Sequence, residues 1–239
     1  MIFLAVTLGF FAESYREHLS ESSKEKEFIK SMVDDLKRDT ANFRFIISKG
    51  KETASTIDTL ILLFQLPDRD AQTSRMYYHA RNITRNAFPF EIFDRTYSQM
   101  KTSGNLRLLH SQEIGDSITS YYSDMGLLVS QQNFITTFLL DYIKNVSIVF
   151  DVSVLHNMYK EAGFTINSNK QTDVRHLLPL IPPKGNPPLA DKSKNAVNSL
   201  LGSSHYLYAR ILNACLIIGN ENKKAINLLL LLQREYHLD

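Results

Sequence analysis

Histidines, carboxylates, arginines and a lone cysteine are the residues of this 239-residue chain whose types could do chemistry. A di-iron site in a helical protein needs Glu-x-x-His pairs on facing helices, because that spacing projects both ligands to one point. None of the seven histidines has a glutamate three positions before it. The nearest arrangement, Asp173-Val-Arg-His176, stands in a helix-poor stretch and is assigned no metal. A His-Glu-x-x-His zinc helix, a glycine-rich phosphate loop and a Gly-x-Ser-x-Gly nucleophile turn are all missing from the sequence. Arg75 and His79 fall one residue short of the Arg-x(4–6)-His spacing of helical ribonucleases, with no evident acidic partner. The expectation is a protein without catalytic residues, metal or cofactor, and not an enzyme.

The most basic segment is Arg75, His79, Arg81 and Arg85, interleaved with Tyr77 and Tyr78. Such a helix could meet phosphates or an anionic headgroup, so these four are the candidate anion contacts. The competing reading is a solvated helix face, whose long side chains keep their charges in water. With 27 basic and 25 acidic side chains and a formal charge of +2, the chain lacks the strong basic excess of an electrostatic nucleic-acid binder. Cys215 excludes an intrachain disulfide, and its neighbours Asn213-Ala-Cys-Leu-Ile-Ile218 read as a buried helix face, where a thiol acts as a small apolar group.

The elements that would position these residues are helices. Nine Gly and seven Pro are few for this length, and most of the Pro fall within 179–188. Sparse punctuation of that kind favours long helices over many short strands. Ile29, Met32, Val33, Leu36, Phe43, Ile46 and Ile47 recur at spacings of three and four, an amphipathic helix, with Asp34, Asp35, Lys37, Arg38 and Asp39 on a solvated face. Gly50 marks an expected break before a helix over 53–66, stopped by Pro67. Asp70 is the expected N-cap of a short helix reaching Arg85. A helix over 91–103 follows Pro89 and ends at Gly104, a residue suited to a left-handed cap. Ser111 would cap a second long helix running from 112 to about 149, and a shorter one covers 152–162. Residues 164–191 form an irregular Pro-rich loop, with 177–181 apolar enough to pack back. The last helix spans 191–236, loosened at Gly202 and Gly219, with Val197, Leu201, Tyr208, Leu212, Cys215, Ile226, Leu229 and Leu230 inward.

Residues 2–12 carry no charge and run without a turn signal into the polar helix that follows. As a helix this run is roughly 16 Å long, against about 30 Å of bilayer hydrocarbon. A secretory signal would want basic residues before it and a small-x-small site after it. A buried core helix and the C-terminal part of a transmembrane helix both fit. The order of Leu8-Gly-Phe-Phe-Ala-Glu-Ser-Tyr-Arg-Glu17, then Glu25-Lys-Glu-Phe-Ile-Lys and Asp35-Leu-Lys-Arg-Asp39, resembles a family of uncharacterised bacterial single-span membrane proteins with a helical domain. The resemblance returns at Thr96-Tyr-Ser-Gln-Met-Lys-Thr-Ser-Gly-Asn-Leu-Arg-Leu-Leu108 and Ile118-Thr-Ser-Tyr-Tyr122. It implies a span with the N-terminus inside and the domain outside the bacterial inner membrane. It implies no activity and no functional residue.

The expected protein is therefore all-α: an elongated antiparallel helical bundle over 13–239, whose long N-terminal helix extends into a membrane anchor over 1–12, a partial transmembrane helix. The anchor residues are Ile2, Phe3, Leu4, Val6, Leu8, Phe10 and Phe11. The expected partners are membrane lipid and a protein partner or a second copy, with no nucleic acid and no small-molecule substrate. The function read from this is a membrane-anchored interaction or sensory module. The alternatives are a structural subunit of a larger membrane assembly and a soluble helical nucleic-acid-processing domain that uses Arg75–Arg85.

Overall fold

A computed structural model describes residues 2–85, 91–162 and 180–238, and the side chains of Ile2, Leu4 and Ala5 lie outside the described ones. The fold class is all-α, with no strand among the described residues. The helices are α1 (Ile2–Gln65), α2 (Thr73–Arg85), α3 (Arg95–Thr102), α4 (Gln112–Ser123), α5 (Met125–Val149), α6 (Val152–Glu161) and α7 (Lys194–Tyr236), with short 3-10 turns at Arg69–Gln72 and Asn105–Leu108. The expected helix starts at Pro89 and the candidate Asp173–His176 pair lie outside the described residues. The chain forms two compact units, one of Met1–Phe45, Phe90–Leu128 and Ile218–Asp239, the other of Ile46–Pro89 and Val129–Ile217.

In the first unit α1 buries Glu25, Ile29, Met32, Leu36, Asp39 and Phe43, and α7 buries Ile218, Glu221, Ala225, Leu228, Leu232 and Tyr236. The α1 set, and the α7 set as far as Leu232, alternate steps of four and three, the seven-residue repeat that keeps one stripe of a helix facing a neighbour. Ile114, Ile118 and Tyr121 of α4 are buried in the same unit. Gly104 adopts φ +70°, the left-handed geometry expected of it, and ends the α3 turn. The structure shifts the start of α3 from residue 91 to Arg95, because the amides of Phe93 and Thr96 bond to carboxylates of α1. The long helix expected over 112–149 divides at Asp124. Leu127 N–H donates to Asp124 O in a tighter i+3 turn, and the Asp124 carboxylate is drawn to Lys224 Nζ at 2.6 Å. Gly126, a weak helix former, adjoins the step.

In the second unit Tyr77 of α2 is the central polar tie. Its hydroxyl donates to Pro188 O and accepts from Asp151 N–H, both at 2.9 Å, while its ring meets Phe150 edge-on at 4.8 Å. Tyr142 donates to Ala80 O, and Ser74 Oγ donates to Pro183 O. The described part of the Pro-rich stretch is thus pinned rather than loose, with Leu180 and Leu189 buried in the core; residues 163–179 lie outside the described ones. Asp70 does not cap α2. It sits in the 3-10 turn and pairs with Lys192 Nζ at 3.0 Å. Ser193 caps α7, its Oγ accepting from Ala196 N–H, so the helix starts three residues later than expected.

Gly50 does not interrupt α1, nor do Gly202 and Gly219 interrupt α7. At Gly50 an added Cβ would stand 2.4 Å from Cys215 Sγ. The glycine makes room for the thiol, whose pKa burial raises. Val197 of α7 is buried as expected, and beyond it the inward face is rotated by one residue from the expected one. Leu200, Leu207, Ile211, Ala214, Ala225 and Leu228 are buried, the neighbours Leu201, Leu212, Cys215 and Leu229 are half-buried, and Leu230 is exposed.

Two stability measurements check this packing. Gly50→Ala destabilises the protein in the natural background. In a Cys215→Ala background the same change stabilises it by about 0.5–1 kcal/mol, the helix-propensity difference once the clash is gone. Tyr77→Phe leaves Pro188 O and Asp151 N–H unpaired, and denaturant unfolding should register a loss of about 1–3 kcal/mol.

Candidate functional site

The four candidate anion contacts lie along α2, whose opposite face buries Met76, Tyr77, Ala80 and Ile83. Arg75 is exposed and donates to Gln72 Oε1 at 3.0 Å. His79, one turn on, is half-buried; burial first and the Arg75 charge second lower its pKa below the ordinary imidazole value. Its Nδ1 is buried without a hydrogen-bond partner among the described residues. Arg81 lies with its guanidinium 4.5 Å from the centroid of the Tyr159 ring and donates to Thr84 Oγ1. Arg85 reaches Asn82 Oδ1 at 3.5 Å, and burial lowers its pKa. The helix therefore sets Arg75 beside His79 and Arg81 over Tyr159.

Of the candidate anchor residues, the described side chains of Phe3, Val6, Leu8, Phe10 and Phe11 are all exposed, Phe3 at 86% and Phe10 at 73%. The side chains of Ile2 and Leu4 lie outside the described ones. Tyr15 and Leu19 continue the exposed apolar surface, with the Arg16–Glu13 ion pair beside them. Exposed apolar side chains scattered singly are ordinary on a folded protein, whereas a contiguous exposed run of this kind is uncommon. No helix among the described residues is long and apolar enough to cross a membrane.

A third constellation escapes the reading of the sequence. Asp35 and Asp39, expected on a solvated face, are buried at 3% and 0% exposure. Asp35 Oδ2 accepts from Thr96 N–H at 3.1 Å and from Thr96 Oγ1 at 2.5 Å. Asp39 accepts from Phe93 N–H at 3.0 Å and from Tyr121 OH at 2.8 Å. Asp94, which occupies the N-cap position of α3, makes no capping bond to it. The carboxylate that satisfies the first-turn amide of α3 is thus supplied by α1, where the helix dipole favours a negative charge. Glu25 forms a second knot in the same unit: its Oε1 accepts from His110 N–H at 2.8 Å, lies 2.9 Å from His110 Nδ1, and accepts from Tyr236 OH. Glu221 pairs with Lys224, which also holds Asp124. No group of three or more His, Cys, Asp or Glu able to hold a metal occurs among the described residues.

The signal for these buried acids was present in the chain. Extending the repeat of Ile29, Met32, Leu36 and Phe43 by steps of three and four lands on Glu25 and Asp39. Burial, together with the charges of Asp35 and Asp94, raises the Asp39 pKa to about 6. Burial first, and then Asp39 itself, push the Tyr121 hydroxyl far above its ordinary value. These groups form a hydrogen-bonded polar interior that joins α1, α4 and the segment leading into α3.

The chain matches no protein family, no curated protein and no solved structure.

Because the folded-state pKa of Asp39 lies above its unfolded value of 3.8, the folded protein holds the proton more tightly. The stabilisation from this group is complete below pH 3.8 and is lost as pH rises through about 6. Asp39→Asn keeps an uncharged acceptor there at every pH. The unfolding free energy of the natural protein should therefore fall relative to that of the variant between pH 4 and pH 7, by on the order of 3 kcal/mol. A pH-independent difference would show that Asp39 does not carry the proton.

Proposed function

We propose that the protein is a membrane-anchored helical interaction module, in which α1 places residues 2–12 in lipid and its remainder organises an antiparallel bundle that binds a protein partner. The observation that carries this reading is the exposure of Phe3, Phe10 and Phe11 on a helix that continues unbroken into the packed stripe of Ile29, Met32 and Leu36. A continuous helix without glycine-loosened joints can pass a small displacement at one end to side chains along its length. The resemblance to single-span bacterial proteins supports an inner-membrane location with the helical domain on the extracytoplasmic side. Glu25, Asp35 and Asp39, buried in the first unit, are occupied in tying elements together, which fits a module that binds rather than catalyses.

A second reading, a structural subunit of a larger membrane assembly, is favoured by Tyr15 and Leu19. These side chains continue the line of Leu8 and Phe11 at helical spacing, beyond the uncharged run, and both are exposed. Lipid does not require such a line, whereas a neighbouring helix does.

Carbonate-washed membrane fractionation of the full chain tests the anchor, with a reporter fused after Asp239 to give the side. The natural protein should remain in the pellet. Leu8→Glu with Phe11→Glu should move it to the supernatant, since ionisable side chains within an inserted helix oppose insertion. A natural protein found wholly in the supernatant ends the membrane reading.

A further inference from the structure

The second unit contains a cavity of about 300 Å³ between α2, α5 and α6. Ala80, Val146 and Leu155 are its buried apolar walls, and Ile143 and Val152, at 41% and 57% exposure, stand at its mouth. Its polar lining among the described residues is Arg81, Thr84, Ser147, His156 and Tyr159, without a carboxylate. Arg81 is the one full cation among those described residues. Its guanidinium is steadied over the Tyr159 ring and by Thr84 Oγ1. Among the described residues it has no carboxylate partner, although a guanidinium carries five N–H donors in a fork that fits a carboxylate.

We infer that this cavity is a binding site for a small monocarboxylate with an apolar body, the carboxylate held by Arg81 at the rim and the body lying against Ala80, Val146 and Leu155. The shape fits the usual plan of a ligand site, apolar walls with a few converging polar groups, at the small end of the size range. One guanidinium balances one negative charge, so the site suits a monoanion. His156 on the same rim adds a hydrogen-bonding ring. The inference is independent of the membrane reading, because every residue it uses belongs to the second unit and its test contains no lipid.

The test is titration of the full chain with 3-phenylpropionate, followed by ligand-observed NMR and calorimetry. The comparison ligands are 3-phenylpropan-1-ol, which keeps the body without the charge, and inorganic phosphate, which keeps a charge without the body. Saturable binding of the carboxylate is expected, with both comparison ligands weaker by about tenfold or more. Arg81→Gln should weaken carboxylate binding by a similar factor. Val152→Trp, at an exposed position in the mouth, should abolish it while circular dichroism stays unchanged. The inference is overturned if the natural protein does not saturate at millimolar carboxylate, or if the alcohol or phosphate binds as tightly. Undiminished binding by folded Arg81→Gln or Val152→Trp protein overturns it too. Should Arg81→Gln fail to fold, the Val152 variant and the two comparison ligands still decide.

Discussion

A helix of forty residues can keep one stripe against a neighbour only if its buried positions recur every three and a half residues, because an ideal helix drifts by about 20° per seven residues. The buried positions of α1 and α7 obey that constraint. In α1 they run through Ile29, Met32, Leu36, Asp39 and Phe43 in one unit and Ala54, Ile57, Leu60 and Phe64 in the other. In α7 they run through Val197, Leu200, Ser204, Leu207 and Ile211, and then through Ile218, Ala225, Leu228 and Leu232. Each compact unit draws on a stretch of both helices, and the shorter helices add their apolar faces to a surface that the repeat defines.

The repeat is not uniformly apolar, and its exceptions give the first unit its specificity. A buried carboxylate is costly unless donors surround it. Asp35 and Asp39 find theirs in the backbone amides leading into α3 and in the hydroxyls of Thr96 and Tyr121. Sliding α1 by one turn against that segment would strand both acids and leave the same amides unpaired. An all-leucine stripe would tolerate the slip far better. Buried polar groups that fix register in this way are well attested in helical packing.

The helical class, the left-handed turn at Gly104 and the packing back of Leu180 were legible from residue type and spacing, whereas Ile181, expected to pack beside it, is exposed. Other features depended on partners distant in the chain. Nothing near Asp124 announces that Lys224 will take its carboxylate, and nothing near residue 91 announces that Asp35 and Asp39 will hold the amides of residues 93–96. Gly50 reads locally as a weak point in a helix. Only the position of Cys215 shows it to be a site of close approach. The face of α7 was ambiguous for a different reason. Leu200 and Leu201, Leu207 and Tyr208, Ile211 and Leu212 are adjacent apolar pairs, so composition alone permits two phases about 100° apart. The α2 cluster was placed correctly on one helix, but the Tyr159 ring that seats Arg81 and the cavity beside it come from α6, some eighty residues onward.

The first unit joins residues from both ends of the chain, and Tyr236 supplies a donor to Glu25. During translation Glu25 emerges early, and the tyrosine that completes its hydrogen bonding follows 211 residues later. At ordinary synthesis rates the wait is on the order of ten seconds or more. This half of the molecule therefore cannot close until the end of α7 has left the exit tunnel, and a nascent chain must shelter an incomplete acidic interior until then.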